Sequence, residues 1–448
     1  MRAEPFIKAL IELSGYFDKP LYIVGGAIRN YHMGLKITDI DLAAAISPQE
    51  VIERLKDSPF KASLTSKKLF TLKIEHKDKY FEFTSFRKDT YTGGKHTPDQ
   101  SSLTDDILID AKRRDFTVNA VYYDILKDEF VDPLGGIDDL NNRIIRTVDL
   151  PERVFSQDGL RLMRLARQAA EMGLDIDKTV MDAAKENVYL IKDIAIERIR
   201  DEFDRIITAD RKYNIPNAHI RGLKLLEKMG LLSYILPELE KGKGLSQRKD
   251  YHKYDVYTHI LKCFEYSQAE IRLAALLHDI AKPFCVQNDG SMKGHDREGK
   301  RMAENILNRL KYPKRTISEV KKLVYLHMYD LKTNTKDSTI RRFIQENFDI
   351  LDKLIALKQA DHKAGGIMGE ESPSAARLKE VFEKMKAEGI PFTTKDLKVD
   401  GKDLIELDIP AHKRSLALKS LLNAAIYGKD LLTREGQLKY LSRNKKSF

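Results

Sequence analysis

Within LYIVGGAIRNYHMGLKITDIDLAAAI, residues 21–46, two apolar runs of strand length, LYIV and IDLAAAI, bracket a glycine pair and a short helical segment. This strand, tight turn, helix and second strand constrain the fold more than any other stretch of the chain. Asp39 and Asp41 lie on or at the mouth of the second strand, with Ile40 between them. Strand side chains alternate between faces, so both carboxylates are expected to point the same way, close enough to share divalent cations. Hard oxygen ligands favour Mg²⁺, and a cation held by one or two carboxylates keeps positions open for substrate phosphates. Nucleotidyl transfer is the reaction that such a pair suits.

An Asp-x-Asp triplet alone serves equally well as a solvated loop or a helix cap. The upstream pair Gly25 and Gly26 changes the balance. Glycines at a strand-to-helix turn let backbone N–H groups approach a triphosphate, and the helix that follows presents its positive end there. No GxxxxGK[ST] occurs, which excludes a P-loop ATPase. In KYFEFTSFR, an alternating strand pattern, Glu82 is the lone acid among aromatic and hydroxyl residues and is the candidate third carboxylate. Further on, DAKRRDFTVNAVYYD sets Arg113, Arg114 and Asp115 before a short apolar element. These arginines suit a triphosphate or sugar, and a surface charge cluster is the alternative.

The ordered series GGAIRN, DID, EFTSFR, RRDFTVNA, DPLGGIDDL and FSQDGLRLMRLAR resembles the class II tRNA nucleotidyltransferase and bacterial poly(A) polymerase family, from residue 20 to about 210. The resemblance implies an α+β chain: a small mixed-sheet nucleotidyltransferase head followed by mostly α-helical neck, HD and tail domains. It implies attack by an RNA 3'-hydroxyl on the α-phosphate of a nucleoside triphosphate, with Mg²⁺ at Asp39 and Asp41. Position by position, Gly25, Gly26 and Arg29 match triphosphate-holding residues, and Arg114, Asp115 and Asn119 match the sugar-and-phosphate motif, with Asp110 the acid before the arginines. Asp158 and Arg161 match the pair that reads the incoming base, followed by Arg164 on the same nucleotide-binding stretch. A carboxylate accepts from an exocyclic amine and a guanidinium donates to ring acceptors. The i, i+3 spacing is expected to put both on one helix face.

Two positions depart from the pattern: Gln157 stands where the family usually has Glu, and Asn30 where Asp usually follows the arginine. The segment from Lys88 to Lys112, KDTYTGGKHTPDQSSLTDDILIDAK, reads as a mobile loop from its Gly, Thr, Ser and Asp content. In the family a loop there serves the switch from C to A addition, so its presence favours a complete CCA adder.

The second half carries His259, His278, Asp279, His295, His327 and Asp361 in segments of helical period. The ordered set resembles the HD metal-dependent phosphohydrolases. There an upstream His, the HD pair and a distal Asp hold one metal, and His295 and His327 match positions used for a second. Imidazoles mixed with carboxylates suit a divalent transition metal, Mn, Ni, Co or Fe. The resemblance implies phosphatase or 2',3'-cyclic phosphodiesterase activity, and a structural metal clamp is the alternative.

Expected boundaries are residues 1–148 for the head, 149–238 for the neck and body, 239–368 for the HD domain and 369–448 for a helical tRNA-contacting tail that includes KVDGKDLIELDIP. At 448 residues with a net charge of +10, the chain is long enough for several cores and suits a polyanion partner. The expected partners are tRNA, CTP and ATP. Cys263 and Cys285 alone support neither a disulfide framework nor a cysteine zinc site. No apolar span reaches membrane length, and the cytoplasm is the expected location. Two other readings stay open: a poly(A) polymerase or partial CC- or A-adding enzyme, and a non-catalytic RNA-binding relative.

Overall fold

A computed structural model of the chain describes every residue except 3, 92–97, 367, 368 and 370. Contacts divide it into two compact units, Met1–Pro237 and Glu238–Phe448.

Nine strands of the first unit frame the site, β1 (Tyr22–Val24), β2 (Asp41–Ala44), β3 (Lys61–Ser66), β4 (Thr71–His76), β5 (Lys79–Ser85), β6 (Arg87–Thr90), β7 (Gln100–Leu103), β8 (Tyr122–Asp124) and β9 (Glu129–Val131), and a further short pair, Ile144–Ile145 with Asp175–Ile176, forms its own parallel two-stranded sheet. Seven form one sheet in the order β3-β4-β5-β2-β1-β8-β9, and β6 and β7 pair as a separate ribbon. The sheet is mixed because β2 runs parallel to β5, while its other neighbours pair antiparallel. Strand β5 shows how the sequence sets the faces: Phe81 and Phe83 are buried, while Tyr80 and Glu82 between and beside them are exposed. Leu42, in register with Phe83, enters the same core as Ile23, Leu10, Leu13 and Ile28. Ala43, Val24 and Tyr122 face the other way, into a second core with Phe86, Ala111 and Val154. Burying a side chain of this size contributes about 1.5–3 kcal/mol, so a one-residue slip that exchanged these faces is strongly disfavoured.

The stretch Lys88–Lys112, expected to be a mobile loop, is largely ordered where it is described. Ribbon β6–β7 occupies its start and middle, and a helix, Ile107–Lys112, is capped by Asp106, which accepts from Leu108 N–H at 2.8 Å. The Ser, Thr and Asp content reflects short strands and a cap as much as irregular backbone. Residues 92–97, the Gly-containing part of the expected loop, lie outside the described residues.

Helices take over from Pro151, with Pro151–Gln157, Leu160–Met172, Lys178–Glu186, Ile196–Ile207 and Ala218–Lys228 completing the first unit. In the second unit, Val256–Tyr266 packs on Leu351–Gly365, and His295–Arg309 packs on Lys314–Leu326. The C-terminal helices enclose a small core of Leu404, Ile409, Ala417, Leu421 and Leu441. No described helix is long and apolar enough to cross a membrane.

Candidate nucleotide and metal sites

Gly25 sits at φ 75°, ψ −131°, backbone that an L side chain rarely adopts, and caps the helix Gly26–His32. A Cβ there would stand 3.5 Å from Asp41 Oδ2 and 3.9 Å from Arg114 Nη1. The turn therefore brings bare backbone against a carboxylate on one side and a guanidinium on the other.

Strand β2 begins at Asp41, so Asp41 opens the strand and Asp39 lies just before it, at its mouth. Pairing nonetheless reaches back to Ile40, whose carbonyl accepts from Glu82 N–H at 3.3 Å. Asp41 and Glu82 are register partners across β2 and β5. Burial first, then the Glu82 carboxylate beside it, pushes the Asp41 carboxyl up to about 6. Three carboxylates gathered with too little positive charge fit a divalent cation, which Asp39, Asp41 and Glu82 would hold. They border a cavity of about 810 Å³ that also meets Lys36, Lys79 and Tyr80.

Asp110 is the anchor of the arginine pair. Fully buried, it accepts from Arg113 Nε at 2.8 Å, Arg114 Nη2 at 3.0 Å and Tyr122 Oη at 2.7 Å. Burial opposes its charge, but Arg113 and Arg114 outweigh burial and hold it below the usual carboxylate range. Arg114 also donates Nε to Tyr122 Oη, which leaves Nη1 beside the Gly25 turn. Asp115 is held low in the same way, burial being outweighed by Arg164, whose Nε and Nη2 donate to its Oδ2 at 2.8 and 2.6 Å.

Arg29 is spent inside the protein. Its five N–H groups make five bonds: Nη1 to Asn119 Oδ1 (2.6 Å) and Gln168 Oε1 (3.3 Å), Nη2 to Asn30 Oδ1 (3.0 Å) and Tyr213 Oη (3.4 Å), and Nε to Asn30 Oδ1 (3.3 Å). Every one of these partners is neutral, including Asn30 where the family usually has Asp, so the buried charge of Arg29 is not cancelled by a bonded carboxylate.

Asp158 and Arg161 do not share one helix. Asp158 ends the helix Pro151–Gln157 with φ −153°, ψ 103°, and the next helix starts at Leu160. Gly159 follows in helical backbone, φ −59°, ψ −21°, and packs so tightly on a distant segment that a Cβ there would lie 2.6 Å from Leu190 O. Asp158 instead caps the new helix, accepting from Leu160 N–H at 3.0 Å. Arg161 donates Nη2 to Arg113 O at 2.7 Å and Nη1 to Val154 O at 3.1 Å and Gln157 Oε1 at 2.9 Å. Gln157 thus accepts from the guanidinium as a carboxylate would, without its charge. Residues missed in the sequence include Tyr122, Gln168 and Tyr213, whose roles are visible only through contacts distant in the chain.

In the second unit all six expected ligands converge. His259 Nε2 is 3.2 Å from His278 Nε2 and 2.9 Å from Asp361 Oδ1, and His295 Nε2 is 3.3 Å from His327 Nε2 and 3.2 Å from Asp279 Oδ1. Two triads result, His259, His278, Asp361 and Asp279, His295, His327. Asp279 joins them, since Oδ2 lies 3.4 Å from His259 and 3.3 Å from His278 while Oδ1 faces His295 and His327. The HD pair is not helical as expected: the helix Arg272–Leu277 ends at His278, and Asp279 lies in the turn before Lys282–Asp289.

Three imidazoles face backbone carbonyls through Nδ1: His278 to Ala275 O at 2.9 Å, His295 to Met292 O at 2.8 Å and His327 to Val324 O at 2.6 Å. With Nδ1 held by a carbonyl, each Nε2 turns inward, where giving up its proton would offer a bound metal the lone pair it requires. Burial opposes the Asp279 charge, yet His278 and Lys282 outweigh it and hold the carboxyl well below its ordinary value. Lys282 Nζ lies 2.5 Å from Asp279 Oδ2. His252, against the His259 ring at 4.6 Å, is pushed down to about 4 by burial and then by Lys282. The donor set, nitrogen and oxygen together, fits a divalent transition metal. A cavity of about 730 Å³ opens on it, lined in part by Arg248, Tyr251, Lys282 and Lys358.

Comparison with known proteins gives a consistent picture. Family models for the Poly A polymerase head domain, the Probable RNA and SrmB-binding site of polymerase A and the HD domain match residues 21–146, 173–243 and 250–364. The A-adding tRNA nucleotidyltransferase of Deinococcus radiodurans is 31% identical over 80% of this chain and 78% of its own. The CC-adding tRNA nucleotidyltransferase of Thermus thermophilus is 30% identical over 82% of each. A CCA-adding enzyme of Geobacillus sp. is 33% identical, over 52% of this chain and 55% of its own. In fold, the chain is similar to the crystal structure of the Bacillus stearothermophilus CCA-adding enzyme in complex with CTP, with a TM-score of 0.67, 23% identity and 99% of each chain covered.

Proposed function

The chain belongs to the tRNA nucleotidyltransferase and poly(A) polymerase family with a fused HD domain, and from that premise we propose that it adds C, C and A to the 3' end of tRNA from CTP and ATP. The observation that carries the chemistry is that Asp39, Asp41 and Glu82 line one cavity, with Asp41 in register with Glu82 and beside the Gly25 turn that Arg114 also approaches. A divalent cation bound by the three carboxylates supplies positive charge to the reacting oxygens. The RNA 3'-oxygen forms its bond to the α-phosphorus, the bond to the bridging α–β oxygen breaks, the hydroxyl proton is lost to solvent and pyrophosphate leaves.

The residues of the chain bind and orient. Backbone N–H groups at Gly25 and Gly26 and the guanidinium of Arg114 receive the triphosphate. Asp158 accepts from the exocyclic amine common to cytosine and adenine, and Arg161, anchored on Val154, Gln157 and Arg113, donates to ring acceptors. Finer division of the two units into head, neck and body, HD domain and tail at 148, 238 and 368 belongs to the same proposal.

For the HD site we propose a divalent transition metal, Mn, Ni, Co or Fe, on the two triads, and hydrolysis of phosphate esters at RNA ends. The inward-facing Nε2 atoms and Lys282 beside Asp279 support this reading. A second reading of the nucleotidyltransferase site is partial addition, of A alone or of CC alone, favoured by the long matches to an A-adding and a CC-adding relative. Incubation with Mg²⁺ and tRNA transcripts ending at the discriminator base, C or CC, with CTP, ATP or both, separates the readings. Products ending at CCA support the proposal, A added only to CC ends or CC added without A supports the second reading, and ATP ladders identify a poly(A) polymerase.

A further inference from the structure

Arg161, Arg164 and Gln168 follow at intervals of three and four along the helix Leu160–Met172, so they stand as rungs on one face. Each rung meets the segment Arg113–Asn119. Arg161 donates to Arg113 O, Arg164 to Asp115 Oδ2, and Gln168 reaches Asp115 and Asn119. Gln168 is only 2% exposed, and its amide bonds to this segment and to Arg29. Its Nε2 donates to Asp115 Oδ2 at 3.2 Å, and its Oε1 accepts from Asn119 Nδ2 at 2.9 Å and Arg29 Nη1 at 3.3 Å. A carboxylate on one side and two donors on the other fix which end of the amide is oxygen.

Asn119 is held in turn. Its Nδ2 donates to Asp115 Oδ1 at 2.8 Å as well as to Gln168, and its Oδ1 accepts from Arg29. One buried amide therefore sets Asp115, Asn119 and Arg29 together, while the same helix begins beside the base-reading pair.

We infer that Gln168 is a positioning residue of the nucleotide site, joining the helix that selects the base to the residues that hold sugar and triphosphate. The inference rests on the nucleotidyltransferase reading for its meaning, and it is tested on nucleotide binding, which does not require RNA extension. Neutral Gln suits the place because it satisfies a carboxylate and a cation at once. An apolar side chain would leave Arg29 Nη1 and Asn119 Nδ2 each short of an acceptor in a buried setting.

The test compares wild type, Gln168→Met and Gln168→Glu by equilibrium dissociation constants for CTP and ATP and by thermal melts, with extension of tRNA by the wild type run in parallel. Met keeps the volume and removes both ends of the amide. Glu keeps the acceptors but sets a second carboxylate against Asp115. Binding of CTP and ATP is expected to weaken by about tenfold in both variants, with the ratio between the two nucleotides unchanged, because the disturbed residues are those the resemblance assigns to sugar and triphosphate, which both nucleotides share. Wild-type dissociation constants in folded variants of either kind would overturn the inference, as would loss of the cooperative melt in both, which would make Gln168 a folding residue only. A wild type that binds nucleotide but extends no RNA would instead overturn the functional reading and leave the inference standing.

Discussion

Asp41 and Glu82 face each other in register across the parallel strands β2 and β5, the sole parallel pairing in the seven-stranded sheet among the described residues. That pairing explains why a residue forty positions downstream joins the aspartates. Phe81 and Phe83 must enter the core, so Glu82 is turned to the opposite face, where Asp41 stands.

The raised Asp41 value gives a pH prediction. An acid whose folded value lies near 6, above its ordinary 3.8, keeps its proton longer when folded. Stability without divalent cation therefore falls as pH rises through that window, and is highest below it. Added Mg²⁺ competes with the proton, so the gain in melting temperature from Mg²⁺ is expected to be small near about pH 4 and to grow above about pH 6. Asp41→Asn is expected to abolish nucleotide incorporation and flatten this dependence. A Mg²⁺ gain that is constant with pH would count against the carboxylate site.

Arg164→Ala should leave Asp115 buried with only neutral side-chain partners. The Arg164 side chain is 34% exposed, which moderates the loss to about 2 kcal/mol of folding stability. The folded Asp115 value is depressed, so the contribution is complete above its ordinary value and is lost as pH falls through the folded one. Urea unfolding of wild type and variant is expected to differ most near neutrality and to converge at acid pH. Equal stability at pH 7 would show that the pair contributes nothing measurable.

How far the sequence could be read depended on the range of the interaction. Asp39, Asp41, Gly25, Gly26 and the HD residues are legible because local spacing and order carry them. The parallel partner Glu82 was legible as a misplaced charge in an alternating strand. Gln168, Tyr213 and Tyr122 were not, since a glutamine or tyrosine on a helix or strand carries no sign of a partner on another element, whether 12 positions away, as for Tyr122 and Asp110, or far more. The single-helix reading of Asp158 and Arg161 failed at Asp158, whose backbone is extended, next to a Gly159 pressed on the carbonyl of Leu190, thirty-one residues on. The same limit applies to the stretch Lys88–Lys112, whose polar composition hides a strand ribbon and a capped helix.

Gly159→Ala tests that break. Its Cβ would meet Leu190 O at 2.6 Å and Leu190 C at 3.0 Å, backbone atoms that cannot swing away. The expected cost is about 1–3 kcal/mol of stability, with both CTP and ATP incorporation reduced because Asp158 and Arg161 move with the backbone. Chemical unfolding and single-nucleotide addition assays check the two parts. An unchanged variant would mean that the segment around Leu190 yields easily.

Asp279 offers one oxygen to each triad of the HD site, which sets an order of metal losses. Wild type dialysed against Mn²⁺ and analysed for bound metal is expected to hold two ions, one for each triad. His327→Ala removes an Nε2 from the Asp279, His295, His327 group only, so one ion should remain on His259, His278 and Asp361. Asp279→Ala withdraws both oxygens at once, from His259 and His278 on one side and His295 and His327 on the other, and should empty both positions. It should also leave Lys282, 6% exposed, without its carboxylate, so a lower melting temperature is expected alongside the metal loss. Equal metal content in all three proteins would remove Asp279 from its bridging place.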